Sequence, residues 1–230
     1  EEWNGSSWTE GNNLGTARAF IDGCGSSTAG LAFGGRTAPA ALGTTEEYHV
    51  TAMAITAGAW ASGKNFPSNH LQGASSGTQT ALFVAGGYTG APAPGTTTNA
   101  TKEYDGSAWT ESGNLPNADF GCRGAGTQTA GLKIGGYPKI NRTDSYDGNT
   151  WTALPTLNTG RNSMGAIGTQ TAAVSGGGDT HPDDPRESAL VEEWDGSSWS
   201  EVTNVPAARR ASMGGGTLTA GLISGGFGET

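Results

Sequence analysis

One position of a repeated sequence frame collects residues that could bind an anion. Ten residues after each of five regularly placed Trp residues stand, in order, Arg18, His70, Asp119, Arg161 and Arg209. Guanidinium forks gathered at one place could bind an anion or an acidic sugar. The same arginines could instead tie adjoining parts of the fold by bonding loop carbonyls or carboxylates. The sequence leaves both hypotheses open.

A second set of residues follows a recurring Gly-Gly pair. These residues are Arg36, Tyr88, Tyr137, Asp179 and Phe227. Flat aromatic faces at a loop surface suit sugar rings, so Tyr88, Tyr137 and Phe227 are candidate ligand-binding residues. Alternatively, these rings merely cover the Gly-Gly backbone.

Catalytic chemistry has no matching constellation in the sequence. The three His residues, His49, His70 and His181, stand in three different contexts. The segment 179–185 holds several oxygen ligands and one His, but it lacks the spacing of an EF-hand loop, and its two prolines favour a solvated loop. We therefore expect no catalytic residues, no metal, no cofactor and no enzyme activity.

The spacing of the repeats predicts the elements that must position these residues. Twenty-six positions separate Trp8 from Gly34, Trp60 from Gly86, Trp109 from Gly135, Trp151 from Gly177, and Trp199 from Gly225. Each unit contains an apolar run before Gly-Gly and an Asp-Gly or Asn-Gly hairpin signal before the Trp. Four short antiparallel strands in a unit of about 40–50 residues are typical of a β-propeller blade.

We predict an all-β, five-bladed β-propeller that forms a single domain over residues 1–230. The blades cover approximately 14–62, 63–112, 113–153, 154–202, and 203–230 together with 1–13. The last blade would thus take two strands from each end of the chain. Pairing of Glu2 and Trp3 with 222–225 would remove the open edges between the terminal blades.

The order Gly-Gly, then Tyr-Asp, then Trp resembles kelch repeats, which form galactose-oxidase-like propellers. The variants Tyr-Asp-Gly-Ser-Ser-Trp and Gly-Thr-Gln-Thr-Ala-Gly resemble repeats in structural proteins of bacteriophages and in related environmental sequences. The copper site of galactose oxidase, which needs paired Tyr and His ligands and a Cys-linked Tyr, is not expected here.

Loop lengths indicate which face of the propeller carries function. The connections between the second and third strands vary most, whereas the turn between the first and second strands keeps one length. Variable loops on a rigid scaffold usually carry binding residues. We therefore expect the ligand site on the face that the second-to-third connections share with the fourth-to-first connections.

Composition excludes several classes of partner. The formal net charge of −9 disfavours nucleic acid. No apolar run reaches the length of a membrane span. The opening residues Glu1-Glu2-Trp3 show neither a signal-peptide pattern nor an initiator Met, which suggests an excised domain or a processed product.

Cys24 and Cys122 fall at unrelated repeat positions, so we expect two free thiols.

These patterns favour a non-catalytic binding module in a phage particle or a secreted adhesion protein. Its expected partner is a cell-surface glycan or protein, with other chains of a virion as further candidates. The expected location is extracellular or on a virion. A structural spacer or decoration domain without a ligand is the alternative hypothesis, and a glycan-processing enzyme is a third.

Overall fold

The computed structural model describes residues 2–3, 8–10, 12–26, 28–37, 40–49, 59–89, 95–183 and 185–228. For residues 2–3, 8–9 and 59–60 only the backbone is described. Every regular element within these ranges is a β-strand. The described residues include no helix long and apolar enough to cross a bilayer.

The strands are short and follow one another along the whole described chain. In order they are β1 (Glu2–Trp3), β2 (Trp8–Thr9), β3 (Asp22–Ser26), β4 (Ala29–Phe33), β5 (Arg36–Thr37), β6 (Ala40–Ala41), β7 (Thr45–His49), β8 (Ala59–Ser62), β9 (Ala74–Thr78), β10 (Ala81–Ala85), β11 (Tyr88–Thr89), β12 (Thr96–Thr97), β13 (Thr101–Tyr104), β14 (Trp109–Ser112), β15 (Arg123–Thr127), β16 (Ala130–Gly136), β17 (Ile140–Tyr146), β18 (Trp151–Leu154), β19 (Gly165–Thr169), β20 (Ala172–Gly176), β21 (Val191–Trp194), β22 (Trp199–Val202), β23 (Met213–Thr217) and β24 (Ala220–Ser224).

Four antiparallel sheets of four strands each form a β-propeller arrangement. Blade 1 has the strand order β3-β4-β7-β8, blade 2 has β9-β10-β13-β14, blade 3 has β15-β16-β17-β18, and blade 4 has β19-β20-β21-β22. The fifth repeat contributes the pair β23-β24. This confirms the predicted all-β class and the four-stranded repeat unit.

The first strand of each repeat faces a central channel. Residues of β3, β9, β15, β19 and β23 line one narrow cavity of about 80 Å³. Small residues at the second position of these strands let the backbones approach closely. A Cβ atom on Gly124, for example, would lie 2.7 Å from the Ser75 carbonyl carbon.

Apolar layers between neighbouring blades hold the blades together. Each layer combines residues from the second strand of one blade with an aromatic pair from the next blade. Between blades 1 and 2, Phe33 and Phe66 pack against Tyr104 and Trp109, with the Phe66 and Trp109 ring centroids 4.7 Å apart. The pair Tyr146 and Trp151 and the pair Trp194 and Trp199 fill the next two layers.

The recurring Trp residues are not equally buried. Trp199 is 6% exposed and donates an indole hydrogen bond of 2.9 Å to the Thr143 hydroxyl. Trp109 and Trp151 occupy the same repeat position but are only partly buried. The side chains of Trp8 and Trp60 lie outside the described residues.

The fifth repeat is less complete than the other four. The β1-β2 hairpin and the β23-β24 pair form two separate sheets, so the described strands do not show the predicted pairing of Glu2 and Trp3 with 222–225. Accordingly, Leu222 on β24 is 53% exposed. A complete fifth blade therefore stays a prediction.

We expect Trp199→Ala to lower the free energy of unfolding by about 3–5 kcal/mol, because the change empties a buried layer and leaves Thr143 without its donor. Trp109→Ala is the matched control and should cost less, since its indole is partly exposed. Urea denaturation of both variants measures the difference. Equal losses would show that the burial of these rings does not determine how much each contributes to the free energy of unfolding.

Candidate functional site

Arg18 and Arg161 are buried within their own blades. The side chain of Arg161 is fully buried; it donates to the carbonyls of Gly177 and Leu190 and forms an ion pair of 2.9 Å with Glu192. Burial lowers the pKa of the Arg161 guanidinium, and Glu192 opposes that shift. Arg18 repeats this arrangement with Gly34, Thr44 and Glu46. These two guanidinium groups hold the connection between the second and third strands.

Blade 3 has an acid, Asp119, at the repeat position where blades 1 and 4 have an arginine. Asp119 is 3% exposed and accepts a 2.5 Å hydrogen bond from Lys133, and Arg142 also contacts its carboxylate. Asp144 lies 3.5 Å from the same Lys133 ammonium group. A buried ion pair is therefore retained, but its base, Lys133, comes from the second strand, while Asp144 keeps the third-strand position that Glu192 has in blade 4.

His70 occupies this position in blade 2, but it forms no short ion pair like those of Arg161 and Asp119. It packs against Phe66 with ring centroids 4.8 Å apart, and burial lowers its pKa to about 4. Its Nε2 atom is buried and has no hydrogen-bond partner among the described residues, and lies 4.0 Å from an oxygen of Asp22. Arg209, in the fifth repeat, is partly exposed and donates to the Gly225 carbonyl at 3.3 Å.

The residues after Gly-Gly form a second ring that the backbone holds in place. Each pairs with the residue 17 positions before it, as in the reciprocal hydrogen bonds between Leu71 and Tyr88.

Aromatic side chains form a strip across blades 2 to 4. Consecutive ring centroids of Tyr88, Phe120, Tyr137 and His181 lie 4.8 to 5.8 Å apart. Arg36 and Asp179, at the same repeat position, lie outside this strip.

Different residues line the mouth of the channel on this face. A cavity of about 220 Å³ is bordered by Phe20, Ile21, Asp22, Gln72, Arg123, Ser163, Ala211, Met213 and Phe227. Of the candidates predicted from the sequence, only Phe227 borders it. Phe20 and Phe227 are 46% and 60% exposed, and each has a guanidinium group over one face of its ring, from Arg36 and Arg210 respectively.

Four of the mouth residues come from one repeat position that the sequence patterns did not single out. The twelfth residue after each recurring Trp is Phe20, Gln72, Gly121, Ser163 or Ala211. All five have φ between 52° and 69°, which is uncommon for residues other than glycine. The constant spacing is a usable signal, but the residue types differ in every repeat.

Asp22 and Arg123 carry the charge at the mouth. Each is the first residue of an inner strand, in blades 1 and 3 respectively. Burial raises the pKa of Asp22 to about 6, although Arg123 and the Gly73 backbone N–H both favour the ionised form. Arg123 donates to the Cys122 carbonyl at 3.0 Å. The mouth thus presents opposite charges on two sides of one opening.

The opposite face consists of turns that join the blades. The Gln of each Gly-Thr-Gln-Thr turn donates to two carbonyls of the preceding blade. Gln79 reaches Gly30 and Tyr48 at 3.2 Å, and Gln128 and Gln170 repeat this contact at the next two interfaces. Leu218 replaces this Gln in the fifth repeat. The repeated turn sequence is therefore explained by contacts between blades.

The two cysteines and the described charged residues of the 179–185 loop are at least partly buried or held by contacts within the protein. Cys24 and Cys122 are free, as predicted, and burial raises their pKa values to about 12 and about 11. In the 179–185 loop, Arg186 binds Asp179 and Lys139 binds Asp183, while residue 184 lies outside the described residues. No group of three or more acidic, His or Cys side chains in the described part of the chain is arranged to hold a metal.

No protein-family model matches the chain, and no curated protein sequence matches it.

We expect Arg161→Ala to lower the free energy of unfolding by about 3–5 kcal/mol, because the change leaves Glu192 buried without its partner. The double variant Arg161→Met with Glu192→Leu is the control and should recover only part of that loss, because Glu192 also accepts hydrogen bonds from Asn158 and Thr159. Urea denaturation of both variants checks this. Unchanged stability of Arg161→Ala would mean that the guanidinium has no structural role.

Proposed function

We propose that the chain is a non-catalytic binding module that recognises a cell-surface glycan or protein, as part of a phage particle or a secreted adhesion protein. The observation that carries this proposal is the channel mouth. It combines two exposed aromatic rings with convergent polar groups from several repeats. Such a combination suits a ligand that is polar at its edges and apolar on its faces.

The alternative is a spacer or decoration domain without a ligand. The burial of Arg18 and Arg161 favours it, because these side chains are directed to loop carbonyls and carboxylates instead of solvent. The order Gly-Gly, Tyr-Asp and Trp supports a kelch-like origin under either function. A phage relationship rests on the similarity of the repeat motifs alone.

The finer fold proposal is that β1 and β2 complete a fifth blade. A groove of about 470 Å³ between blade 4 and the fifth repeat is lined by Ile167, Val174, Val191 and Val205, among others. In the layers between blades 1 to 4, an aromatic pair covers the equivalent apolar surface. By repeat position, the corresponding pair is Trp3 and Trp8, which would enter this groove when the hairpin docks.

The ion pairs support the same completion. Arg18 and Arg161 each bind a Glu that stands two residues before the Tyr or Trp of the third strand. The equivalent residue for Arg209 is Glu1, which lies outside the described residues. A docked hairpin would bring Glu1 to Arg209 and so repeat the buried pair.

A paired cysteine variant tests this register. The pairing of Phe83 with Glu103 in blade 2 predicts that Glu2 stands opposite Leu222. Glu2→Cys with Leu222→Cys should therefore form an intramolecular disulfide, which mass spectrometry of the monomer would detect. Glu2→Cys with Ile223→Cys is the control, because a shift of one residue points the side chain to the other face. Bridging only between two chains, or only in the control, would contradict the proposal.

Binding is tested on a glycan array together with candidate surface proteins. We expect Phe20→Ala and Phe227→Ala to weaken any binding by about tenfold, because each removes an exposed aromatic surface at the mouth. Leu218→Ala is the control, since Leu218 is also exposed but lies on the opposite face. Absence of any ligand would favour the spacer hypothesis, and equal loss in the control would place the site elsewhere.

A further inference from the structure

We propose that the channel mouth binds the terminal residue of an acidic glycan, with the sugar carboxylate on Arg123 and its hydroxyl groups on Asp22. This inference rests on the proposed binding function and names the class of ligand. It assigns recognition to two residues of the inner strands rather than to the buried arginines.

The two charged groups stand at the same level of the channel. The first residues of the five inner strands are Asp22, Ala74, Arg123, Gly165 and Met213. Only Asp22 and Arg123 among them are charged, and the described contacts include no ion pair between the two. Both residues border the mouth cavity, and both also line the narrow cavity of the channel.

Both groups keep hydrogen-bonding capacity for a ligand. One terminal nitrogen of Arg123 donates to the Cys122 carbonyl, and a guanidinium group has four further N–H donors. Asp22 accepts the Gly73 backbone N–H, and a carboxylate can accept several more hydrogen bonds. A guanidinium fork fits a carboxylate in two-point contact, whereas a carboxylate acceptor suits sugar hydroxyl donors.

The rest of the mouth fits a single sugar ring. Its volume of about 220 Å³ lies below the range of about 300–1,000 Å³ for pockets that hold drug-sized ligands. Phe20 and Phe227 offer exposed rings, each with one face against the guanidinium group of Arg36 or Arg210, and Gln72 and Ser163 offer polar side chains at the rim. A phosphate dianion would meet stronger repulsion from Asp22 than a carboxylate monoanion, so we favour the carboxylate.

The surroundings of Asp22 add a pH dependence. The titratable or charged groups that influence it are Arg123, His70 and Cys122, and Cys122 in turn interacts with the Asp119–Lys133 pair. Arg36 and Arg210 lie over the Phe20 and Phe227 rings of the same mouth. Because burial raises the pKa of Asp22 to about 6, this carboxylate becomes neutral as the pH falls below that value. His70, whose pKa is lowered to about 4, stays neutral over most of this range. Repulsion of a bound sugar carboxylate should therefore decrease between pH 7 and pH 5.

The test compares methyl glucuronide with methyl glucoside by NMR titration of the full chain at pH 7 and pH 5. We expect the wild type to bind the glucuronide about tenfold more tightly than the glucoside at pH 7. This preference should increase at pH 5, because loss of the Asp22 charge removes repulsion of the sugar carboxylate but affects the hydroxyl contacts of both sugars alike. Arg123→Met should remove the preference for the acid. Arg123→Lys should keep part of it, and Asp22→Asn should remove the pH dependence. Thermal melting confirms that each variant is folded.

The outcomes separate this inference from the proposed function. Equal affinity for both sugars, unchanged in Arg123→Met, would overturn the acidic-glycan inference and leave glycan binding intact. A preference for the glucuronide that survives Arg123→Met would place the carboxylate elsewhere and also overturn it. If neither sugar binds and the glycan array shows no ligand, both proposals fail. If the array shows only neutral glycans, the acidic-glycan inference alone fails.

Discussion

The arrangement of the blades depends on one backbone contact between neighbours. The second Gly of each of the first four Gly-Gly pairs donates its N–H to a carbonyl of the next blade, at the position of His70, Asp119, Arg161 or Arg209. The first Gly lies so close to the same carbonyl that a Cβ on Gly34 would stand 2.7 Å from the His70 oxygen. Both glycines have positive φ, so side chains are excluded by conformation as well as by space.

This contact explains why charged side chains at the carbonyl position are buried. The backbone of Arg161 is bound to blade 3 while its guanidinium is bound to the loop of blade 4. One residue thereby fixes both the interface between two blades and the variable connection within a blade. Asp119 with Lys133 shows that this position also accepts a paired acid, and His70 shows that it accepts a buried neutral ring.

The sequence predicted the repeated scaffold more completely than the candidate site. Spacing between Trp and Gly-Gly identified strands and turns, because each of these positions has a fixed neighbour in every blade. Spacing could not assign Arg161 to a ligand or to the scaffold, since its structural role is revealed only by its contacts with Gly177, Leu190 and Glu192, which lie 16 to 31 positions away. At the twelfth position after Trp the backbone conformation is constant, yet side chains such as Phe20 and Gln72 have nothing in common. A constant backbone with variable side chains leaves no residue motif, although it suits a scaffold that presents different groups to a ligand.

The last interface links the completeness of the fold to the geometry of the mouth. A Cβ atom on Gly225 would meet no other described atom within 4 Å, whereas the equivalent Gly34 lies against the next blade. Phe227 follows the Gly225-Gly226 pair, and Phe20 precedes the first inner strand, so the two exposed rings stand on either side of the same interface. Because the mouth is built across it, any movement that brings Gly225 towards Arg18 also changes the separation of the two rings. The shape of the candidate site is therefore set by how the fifth repeat meets the first blade, and not by either of them alone.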